Sequence, residues 1–391
     1  MSIDTLPDGW TRVEFGDVVR KVNDRVDPDT AGIDRYVAGE HMDTDDLTIR
    51  RWGEIGDGYL GPAFHMRFRP GQVLYGSRRT YLRKVAVADF EGITANTTFV
   101  VEPSSKDLLP EFLPLLMTTE AFHEHSIKQS KGSVNPYINF SDLTWYEFAL
   151  PPIDEQRRII EVLAAVDKHA SCLAKQVDVG CLARSAVLRE LLSAGGHDWT
   201  ETTLGDVAQW YSGGTPKTGR ADFYEGGTIP WVVIADMMET EIFDTASKIT
   251  DAGLSAIGGR LAPKGSVLIS MYATVGRPGY AHLPVATNQA IAWSVPDESV
   301  INSRFLLLVA QHLEPKIAYL ARGATQRNIN RAMLRGFAFS LPPLVEQKRI
   351  VDIVSSMDDV IKTTKRAIAD AKKLRSGLLS ILLAGEKPYV H

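Results

Sequence analysis

Cysteine is scarce in this 391-residue chain, which contains only Cys172 and Cys181. They lie nine positions apart in a stretch that reads as helix, and this spacing suits neither a disulfide framework nor a zinc site built on closely spaced cysteines. Long apolar runs are absent too, because nowhere do about 18 apolar residues follow one another without a charge. The opening segment, 1–10, has no basic region followed by an apolar run. We therefore expect a protein of the reducing cytosol that is neither secreted nor membrane-spanning.

The signatures of several enzyme classes are missing as well. The chain has no Gly-x-x-x-x-Gly-Lys-Ser/Thr loop, no His-Glu-x-x-His and no Gly-x-Ser-x-Gly. ATPase, zinc-protease and serine-hydrolase chemistry therefore lack their required parts. The formal net charge of −5 is also not that of a typical nucleic-acid binder, whose surface is basic. The distribution of charge along the chain consequently matters more than its total.

Three short motifs resemble catalytic or metal-binding signatures but lack the surrounding features. Residues 56–61 match the letters of the dinucleotide fingerprint, yet no apolar strand precedes them and Pro62 follows. The Asn-Pro-Tyr at 135–137 is similar to an amino-methyltransferase loop, without its second proline or a glycine-rich donor site. His123 and His125 lie two apart on a predicted helix and point to different faces, with no third ligand evident. We interpret these residues as turns and as packing or surface histidines.

The two halves of the chain repeat one another, which must be recognised before any fold is assigned. The pattern Leu-Pro-Pro-x-x-Glu-Gln-x-Arg-Ile at 150–159 returns at 341–350, an offset of 191 residues. Upstream, Trp-Thr at 10–11 matches 199–200, and Ile-Asn at 138–139 matches 329–330. Each half is therefore a globular segment that ends at a Leu-Pro-Pro boundary and continues into a helix.

Both predicted helices carry a narrow apolar stripe. The apolar positions alternate steps of four and three, as in a coiled-coil seam, and a polar interruption at Arg184 recurs as Arg375. A helix of roughly 40 residues cannot bury such a stripe against itself, so we predict that the two helices pair antiparallel. The stripe consists of Ile159, Leu163, Val166, Ala170, Leu173, Val177, Val187 and Leu191, repeated as Ile350, Val354, Met357, Ile361, Thr364, Ile368, Leu378 and Leu382.

The globular segments mix β-rich runs, such as 97–101 and 266–270, with short helical stretches such as 305–312. We predict an α/β (mixed α+β) fold with two globular domains and an antiparallel coiled coil. An approximate two-fold axis would relate the two domains. The predicted boundaries are a first globular domain at 1–150, a central helical spacer at 151–197, a second globular domain at 198–340 and a C-terminal helical spacer at 341–391.

This organisation resembles the specificity (S) subunits of type I restriction-modification systems over nearly the whole chain. The resemblance rests on the duplicated Leu-Pro-Pro boundary and on four segments of the second half. These segments are Gly-Gly-Thr-Pro at 213–216, Ile-Pro-Trp at 229–231, Thr-Asn-Gln at 287–289 and Gly-Ala-Thr-Gln at 323–326. The first half departs from the pattern, with no Gly-Gly-Thr-Pro and with Thr-Ala-Asn at 94–96. Its fold can match that of the second half while its base contacts differ.

The resemblance implies a non-catalytic subunit that recognises double-stranded DNA. Each globular half would be a target-recognition domain for one part of a bipartite site. The helices, each about 60 Å long, would set the spacing between the parts and bind two modification (methyltransferase) subunits. A restriction (endonuclease/translocase) subunit would be a further partner. S-adenosylmethionine and ATP would belong to these partner subunits, and no cofactor to this chain.

Two other interpretations remain open. A structural adaptor or DNA-binding scaffold of another defence complex would use the coiled coil for assembly and bind helicase or nuclease partners without sequence preference. An autonomous methyltransferase would need the donor site that the sequence lacks.

Basic and amide side chains that could contact DNA cluster in acid-free stretches of the first half. From Arg67 to Lys84 there are six basic residues and no acidic one, with Tyr75 and Tyr81 interleaved, a composition suited to the phosphate backbone. The candidate DNA-binding residues here are Arg78, Arg79, Tyr81, Arg83, Lys84, Asn96, Lys128, Lys131, Asn135, Tyr137 and Asn139.

The second half has two acid-free stretches, 252–296 and 315–345. Arginine, asparagine and glutamine are the side chains best suited to bidentate reading of bases. The alternative is that all these groups are solvated surface charges, but their clustering at equivalent places in both halves favours contact with DNA. The candidates in this half are Thr215, Lys217, Tyr272, Arg277, Asn288, Gln289, Arg322, Gln326, Arg327, Asn328 and Asn330.

Overall fold

A computed structural model describes residues 6–56, 58, 60–323 and 328–383 of the chain. The chain divides into two compact units. The first unit comprises Met1–Ala174 and Arg366–His391, and the second comprises Lys175–Lys365. Each unit therefore combines one globular segment with part of each long helix.

The first half of the chain begins with short strands and short helices, which form a globular segment, and continues into the first long helix, α5. Its elements are β1 (Thr11–Glu14), α1 (Phe15–Val18), β2 (Val19–Val22), β3 (Arg35–Val37), β4 (Gly53–Glu54), β5 (Phe64–Phe68), β6 (Val73–Gly76), β7 (Val85–Val87), β8 (Gly92–Ala95), β9 (Thr98–Pro103), α2 (Phe112–Met117), α3 (Glu120–Lys128), α4 (Phe140–Thr144), β10 (Glu147–Leu150) and α5 (Ile153–Ser193).

The second half follows the same plan with two differences. Its elements are β11 (Thr200–Thr203), α6 (Leu204–Val207), β12 (Ala208–Ser212), β13 (Ile229–Val232), β14 (Glu241–Ile242), β15 (Lys248–Ile249), α7 (Asp251–Ala256), β16 (Val267–Ser270), β17 (Pro278–Ala281), β18 (Ala286–Thr287), β19 (Ile291–Pro296), α8 (Ser303–Gly323), α9 (Arg331–Arg335), β20 (Ala338–Leu341) and α10 (Leu344–Leu383). Helix α7 is added between β15 and β16, and a single helix, α8, takes the place of α2 and α3.

Two sheets and a two-stranded ribbon form each globular segment. In the first unit the sheets have the strand orders β2-β9-β6-β7 and β4-β3-β8-β5, and β1 pairs with β10. In the second unit the orders are β12-β19-β16-β17-β14 and β15-β13-β18, and β11 pairs with β20. Most pairs are antiparallel, but β3 runs parallel to β8, β13 parallel to β18 and β14 parallel to β17. The predicted mixed α/β fold is confirmed.

The long helices α5 and α10 begin directly after the two prolines of the repeated motif, where the N–H that proline lacks would be unpaired anyway. Acidic residues follow in the first turn of each helix and complement the positive end of the helix dipole.

The glutamine of the motif, Gln156 or Gln347, is fully buried and makes three hydrogen bonds to backbone groups. It joins the start of the helix to the loop that precedes α2 or α8. Gln156 accepts from the N–H of Leu109 (2.9 Å) and donates to the carbonyls of Asp107 (2.7 Å) and Pro151 (2.8 Å), while Gln347 accepts from Asn302 (2.8 Å) and donates to Val300 (3.0 Å) and Pro342 (2.9 Å).

Within each unit the two long helices pack along their predicted apolar stripes. In the first unit Ile159 shares a core with Leu382, and further along α5 Asp167 meets Arg375, which precedes Leu382. Residue numbers thus rise along α5 while they fall along α10. In the second unit Ile350 and Val354 share a core with Leu188, and Leu191 packs against it. The buried residue of α5 here is therefore Leu188 and not the predicted Val187. The predicted antiparallel pairing is confirmed.

In each unit the arginine that interrupts the apolar stripe forms an ion pair with an aspartate of the other long helix. Arg375 donates to Asp167 at 2.6 Å in the first unit, and Arg184 donates to Asp358 at 2.5 and 2.9 Å in the second. Both arginines lie mostly buried against the helices, and Arg184 also donates to Gln311 of α8 at 2.9 Å. Since the offset of 191 relates the two pairs, the repeat preserves this contact together with the apolar seam.

Reversing one charge of this pair should weaken the first unit. The variant Asp167→Arg places two guanidinium groups together, and we expect it to lower the free energy of unfolding by about 1 kcal/mol. The reciprocal variant Asp167→Arg with Arg375→Asp should restore most of the loss. Thermal unfolding of these variants and of Arg375→Asp in the full chain checks this. If the double variant lost as much stability as the two single variants together, the two side chains would contribute no interaction energy.

Candidate nucleic-acid interface

Three loops of the first unit are held together by backbone hydrogen bonds. They are 77–84 between β6 and β7, 95–97 between β8 and β9, and 131–139 before α4, and we call them the first loop cluster. The Ser77 N–H donates to the Thr97 carbonyl at 3.0 Å, and the Ser77 carbonyl accepts from the Ile138 N–H at 2.9 Å. Segments far apart in sequence thus form one surface.

The first loop cluster has no acidic residue and exposes cationic and aromatic side chains. Arg78 and Arg79 are exposed, and the Arg79 Nε donates to the Asn135 Oδ1 at 2.9 Å. Tyr81 and Tyr137 are 51% and 44% exposed, although burial is the more usual place for an aromatic ring. Asn96 is exposed in the middle loop. These groups can contact phosphates, base edges or base faces.

Other predicted residues are engaged within the protein. Arg83 makes two hydrogen bonds to Glu120, at 2.7 and 2.5 Å, which raise the pKa of its guanidinium. Lys131 is paired with Asp142 at 2.8 Å, and this hydrogen bond is the main cause that lowers the pKa of Asp142.

Of the remaining candidates in this half, Lys84 donates to the carbonyl of Gly39, and Asn139 donates to Asp142 at the start of α4. Lys128 is exposed at the end of α3. Arg67 and Arg69, by contrast, lie outside the cluster and pair with Glu91 (2.6 Å) and Asp24 (2.8 Å). The basic strip seen in the sequence therefore divides between the loop cluster and a separate set of ion pairs.

His123 lies on α3, which contacts the turn at Thr80–Leu82 in the first loop cluster. It is 1% exposed, and neither ring nitrogen has a hydrogen-bond partner among the described residues. Burial lowers its pKa, and the nearby Arg83 lowers it further against the opposing carboxylates of Asp45 and Glu120. His125, two positions on, instead places its Nε2 2.8 Å from the Asp142 carbonyl oxygen.

We expect the first unit to lose stability in acid because of His123. Folding lowers its pKa below the ordinary 6.5, so the unfolded chain binds the proton more readily. The free energy of unfolding should be constant above the unfolded pKa and fall with decreasing pH below it, by up to about 1.4 kcal/mol per pH unit. His123→Leu should remove this part of the slope in urea unfolding between pH 7 and pH 5, and an unchanged slope would contradict it. His312 in the second unit, whose pKa burial also lowers, continues to titrate in both proteins.

The second unit has a corresponding second loop cluster, which consists of residues 212–217, 271–277, 287–290 and 328–330. The Gly214 N–H donates to the Thr287 carbonyl at 2.9 Å, and the Met271 N–H donates to the Ala290 carbonyl at 2.7 Å. The Ile329 N–H donates to the Met271 carbonyl at 3.1 Å. The segments Gly-Gly-Thr-Pro and Thr-Asn-Gln are therefore neighbours.

Several side chains of the second loop cluster make hydrogen bonds within the protein. The Thr215 hydroxyl is hydrogen-bonded to the Gln289 amide oxygen. The Asn288 Oδ1 accepts from the Ala290 N–H at 3.0 Å, and the Asn330 Oδ1 caps α9 by accepting from the Met333 N–H at 2.9 Å. Lys217 and Tyr272 are exposed, whereas Arg277 and Asn328 are half-buried. Gln326 and Arg327 lie outside the described residues, as does the side chain of Arg322.

The two clusters share one backbone plan. Ser77 and Met271 hold equivalent positions, since their carbonyls accept from Ile138 and Ile329, which the repeat offset relates. Two residues later, Arg79 and Ala273 both adopt the left-handed conformation, with φ of 52° and 56°. Arg78-Arg79 therefore stands where the second unit has Tyr272-Ala273. The sequence comparison missed this equivalence because the local offset is 194 and not 191.

Neither cluster has the composition of a metal or proton-transfer site. Among the described residues no group of three or more His, Cys, Asp or Glu side chains could hold a metal ion. Within the same residues, no helix is both long and apolar enough to cross a membrane. The arrangement offers hydrogen-bond donors, guanidinium groups and exposed rings, which suits binding of a nucleic acid.

Comparison with known proteins agrees with the duplicated plan. The family described as type I restriction modification DNA specificity domain matches residues 7–177 and 196–373. The putative type I restriction enzyme MjaX specificity subunit of Methanocaldococcus jannaschii is 22% identical over 417 residues, covering 98% of this chain and 95% of that protein. The HindI specificity subunit of Haemophilus influenzae is 22% identical over 471 residues, covering 96% and 99%.

Solved structures share the fold. A chain from a structure concerned with complex assembly and conformational transition of the type I R-M system has a TM-score of 0.70 at 23% identity, covering 98% of this chain and 99% of that one. The HsdS subunit from Thermoanaerobacter tengcongensis has a TM-score of 0.52 at 24% identity, covering 99% of both chains.

Proposed function

The chain belongs to the family of type I restriction-modification DNA specificity domains, and from this membership we propose that it is the DNA-recognition subunit of a type I restriction-modification complex. Each unit reads one part of a bipartite site through its loop cluster. The chain contributes recognition and no catalysis.

The observation that carries this proposal is the pair of loop clusters. Both are acid-free and are built on the same backbone hydrogen bonds, yet they present different side chains, Arg78-Arg79 in one and Tyr272-Ala273 in the other. Equivalent scaffolds with different side chains suit two domains that recognise different bases, because base-edge contacts carry the sequence information in DNA recognition.

We infer the partners and cofactors from the same family membership. Two modification subunits bind along α5 and α10 and supply S-adenosylmethionine, while a restriction subunit supplies ATP-dependent chemistry. A complex of this kind acts on DNA in the cytoplasm. The exposed apolar residues along the two helices, such as Val179, Leu182, Val360 and Leu374, provide surface for such partners.

Binding and methylation assays on the purified chain, alone and with its modification subunit, test the proposal. We expect the chain alone to bind duplex DNA without methylating it, and the complex to methylate a defined bipartite motif. Methylation by the chain alone would show that it is catalytic. A complex that binds DNA but methylates without a motif would support a scaffold and contradict recognition.

A further inference from the structure

A pocket of about 290 Å³ opens in the second unit beside the second loop cluster. It lies between the end of β12, the residues that follow α7, and the start of α9. It is lined by Tyr211, Ser212, Gly213, Ile257, Gly258, Arg260, Thr287, Trp293 and Arg331. No residue that lines it is acidic, and two carry guanidinium groups.

The two arginines are far apart in the sequence, but both line this pocket. Arg260 and Arg331 are both exposed, and neither forms an ion pair with any residue that the structure describes. The Arg260 guanidinium lies 5.2 Å from the centre of the Tyr211 ring, which in turn stacks on Trp293 at 4.5 Å. The aromatic pair thus supports one of the two cations at the mouth of the pocket.

Thr287 contributes a hydroxyl that the protein does not use. The residue is 2% exposed, and its Oγ1 has no hydrogen-bond partner within the described chain, an unfavourable state for a buried polar group. Gly213 brings the backbone against it, because a Cβ at this position would lie 1.9 Å from the Thr287 carbonyl oxygen. Both residues belong to the Gly-Gly-Thr-Pro and Thr-Asn-Gln segments of the second half, so those segments build the pocket as well as the loops.

The first unit fills the equivalent positions with apolar side chains. Val22 pairs with Val100 in the first unit, at the positions where Tyr211 pairs with Trp293 in the second. The repeat offset makes Phe140 the counterpart of Arg331 in the first unit. Phe140 packs on Phe99 at 5.8 Å. The cationic pocket is therefore a feature of the second unit's sequence and not of the shared fold.

We propose that this pocket binds a phosphodiester group of the DNA that the second loop cluster contacts, an inference that rests on the proposed function. Two guanidinium groups and a buried hydroxyl are donors suited to phosphate oxygens. Phosphate contacts position a protein on DNA without reading its sequence. The pocket consequently strengthens binding and fixes the second unit on the duplex, while the loops select the bases.

Salt dependence of binding by the full chain tests the inference, with a short duplex selected by the wild-type chain from a random pool as the probe. The variant Arg260→Ala with Arg331→Ala should flatten the plot of log affinity against log salt by about 0.9 for each lost contact, roughly 1.8 in total. Affinity should fall equally for the selected and a scrambled duplex. The double lysine variant, which keeps both charges, should retain most of the slope.

The matched control is Lys348→Ala with Arg349→Ala, two exposed cations of α10 outside the pocket, which should leave the slope unchanged. Thermal unfolding confirms that each variant is folded. An unchanged salt slope in the pocket variant, or an equal loss of slope in the control, would overturn the inference. A pocket variant that changed its preference for the bases of one half-site would overturn it too. If wild-type chain bound all duplexes equally, the proposed function would fail, and the slopes would still decide whether the pocket binds phosphate.

Discussion

Replacing Arg78 and Arg79 together by alanine is expected to weaken binding of the full chain to its DNA site about 100-fold, since a bidentate contact to a base contributes roughly 1–3 kcal/mol. Both guanidinium groups are exposed on the first loop cluster, and Arg79 is held by Asn135. The loss should be confined to the half of the bipartite site that the first unit reads. Competition binding against duplexes altered in either half measures both the size and the position of the effect.

Arg67 and Arg69 provide the control, because their removal changes the charge of the same unit by the same amount. Their guanidinium groups pair with Glu91 and Asp24 away from the loops, so the Arg67→Ala with Arg69→Ala variant should bind nearly as well as wild type. Equal losses in the two variants would indicate a general effect of charge. A loss of preference in both half-sites would contradict the division of labour between the units.

Gln347→Ala is expected to lower the free energy of unfolding of the second unit by about 3 kcal/mol, because it leaves buried backbone groups without partners. The side chain is fully buried and bonds to Asn302, Val300 and Pro342 at 2.8–3.0 Å. Urea unfolding of the full chain gives the magnitude. Hydrogen exchange of the segment around Asn302 should show the opening of the loop before α8.

Lys348→Ala is the natural comparison, since Lys348 is exposed one position further along α10 and its removal should change stability by less than about 0.5 kcal/mol. Gln156→Ala should destabilise the first unit by a similar amount to Gln347→Ala, for it makes the equivalent three bonds. If either glutamine variant were as stable as the lysine variant, the motif would have no role in joining the helix to the globular segment.

The duplicated organisation could be predicted from the sequence because the repeat and the apolar stripe are visible in the order of the residues. The steps of four and three from Ile159 correctly indicate which face of α5 is buried, and Arg184 marks the polar position that the structure pairs with Asp358. The extent of α8 could not be predicted so well. Pro315 usually ends a helix, but it lies inside α8, which continues to Gly323.

The candidate site could be predicted only in part, since which loops meet depends on strand pairing that the sequence does not display. Arg78 and Asn135 are brought into one cluster by hydrogen bonds of Ser77 and Arg79. Composition cannot distinguish Arg78, which is exposed, from Arg83, which Glu120 binds. The pocket at Arg260 could not be predicted from the sequence, because Tyr211 and Trp293, which support the Arg260 guanidinium, become neighbours only through the pairing of β12 with β19.

Genome-wide mapping of methylated positions tests the central claim most directly, with the chain co-expressed with its modification subunit and compared with a chain whose residues 198–340 are exchanged for those of a relative. We predict a bipartite motif in which the exchange changes one half and leaves the other half intact. A motif that stays unchanged, or one in which both halves change together, would contradict recognition by two separate units.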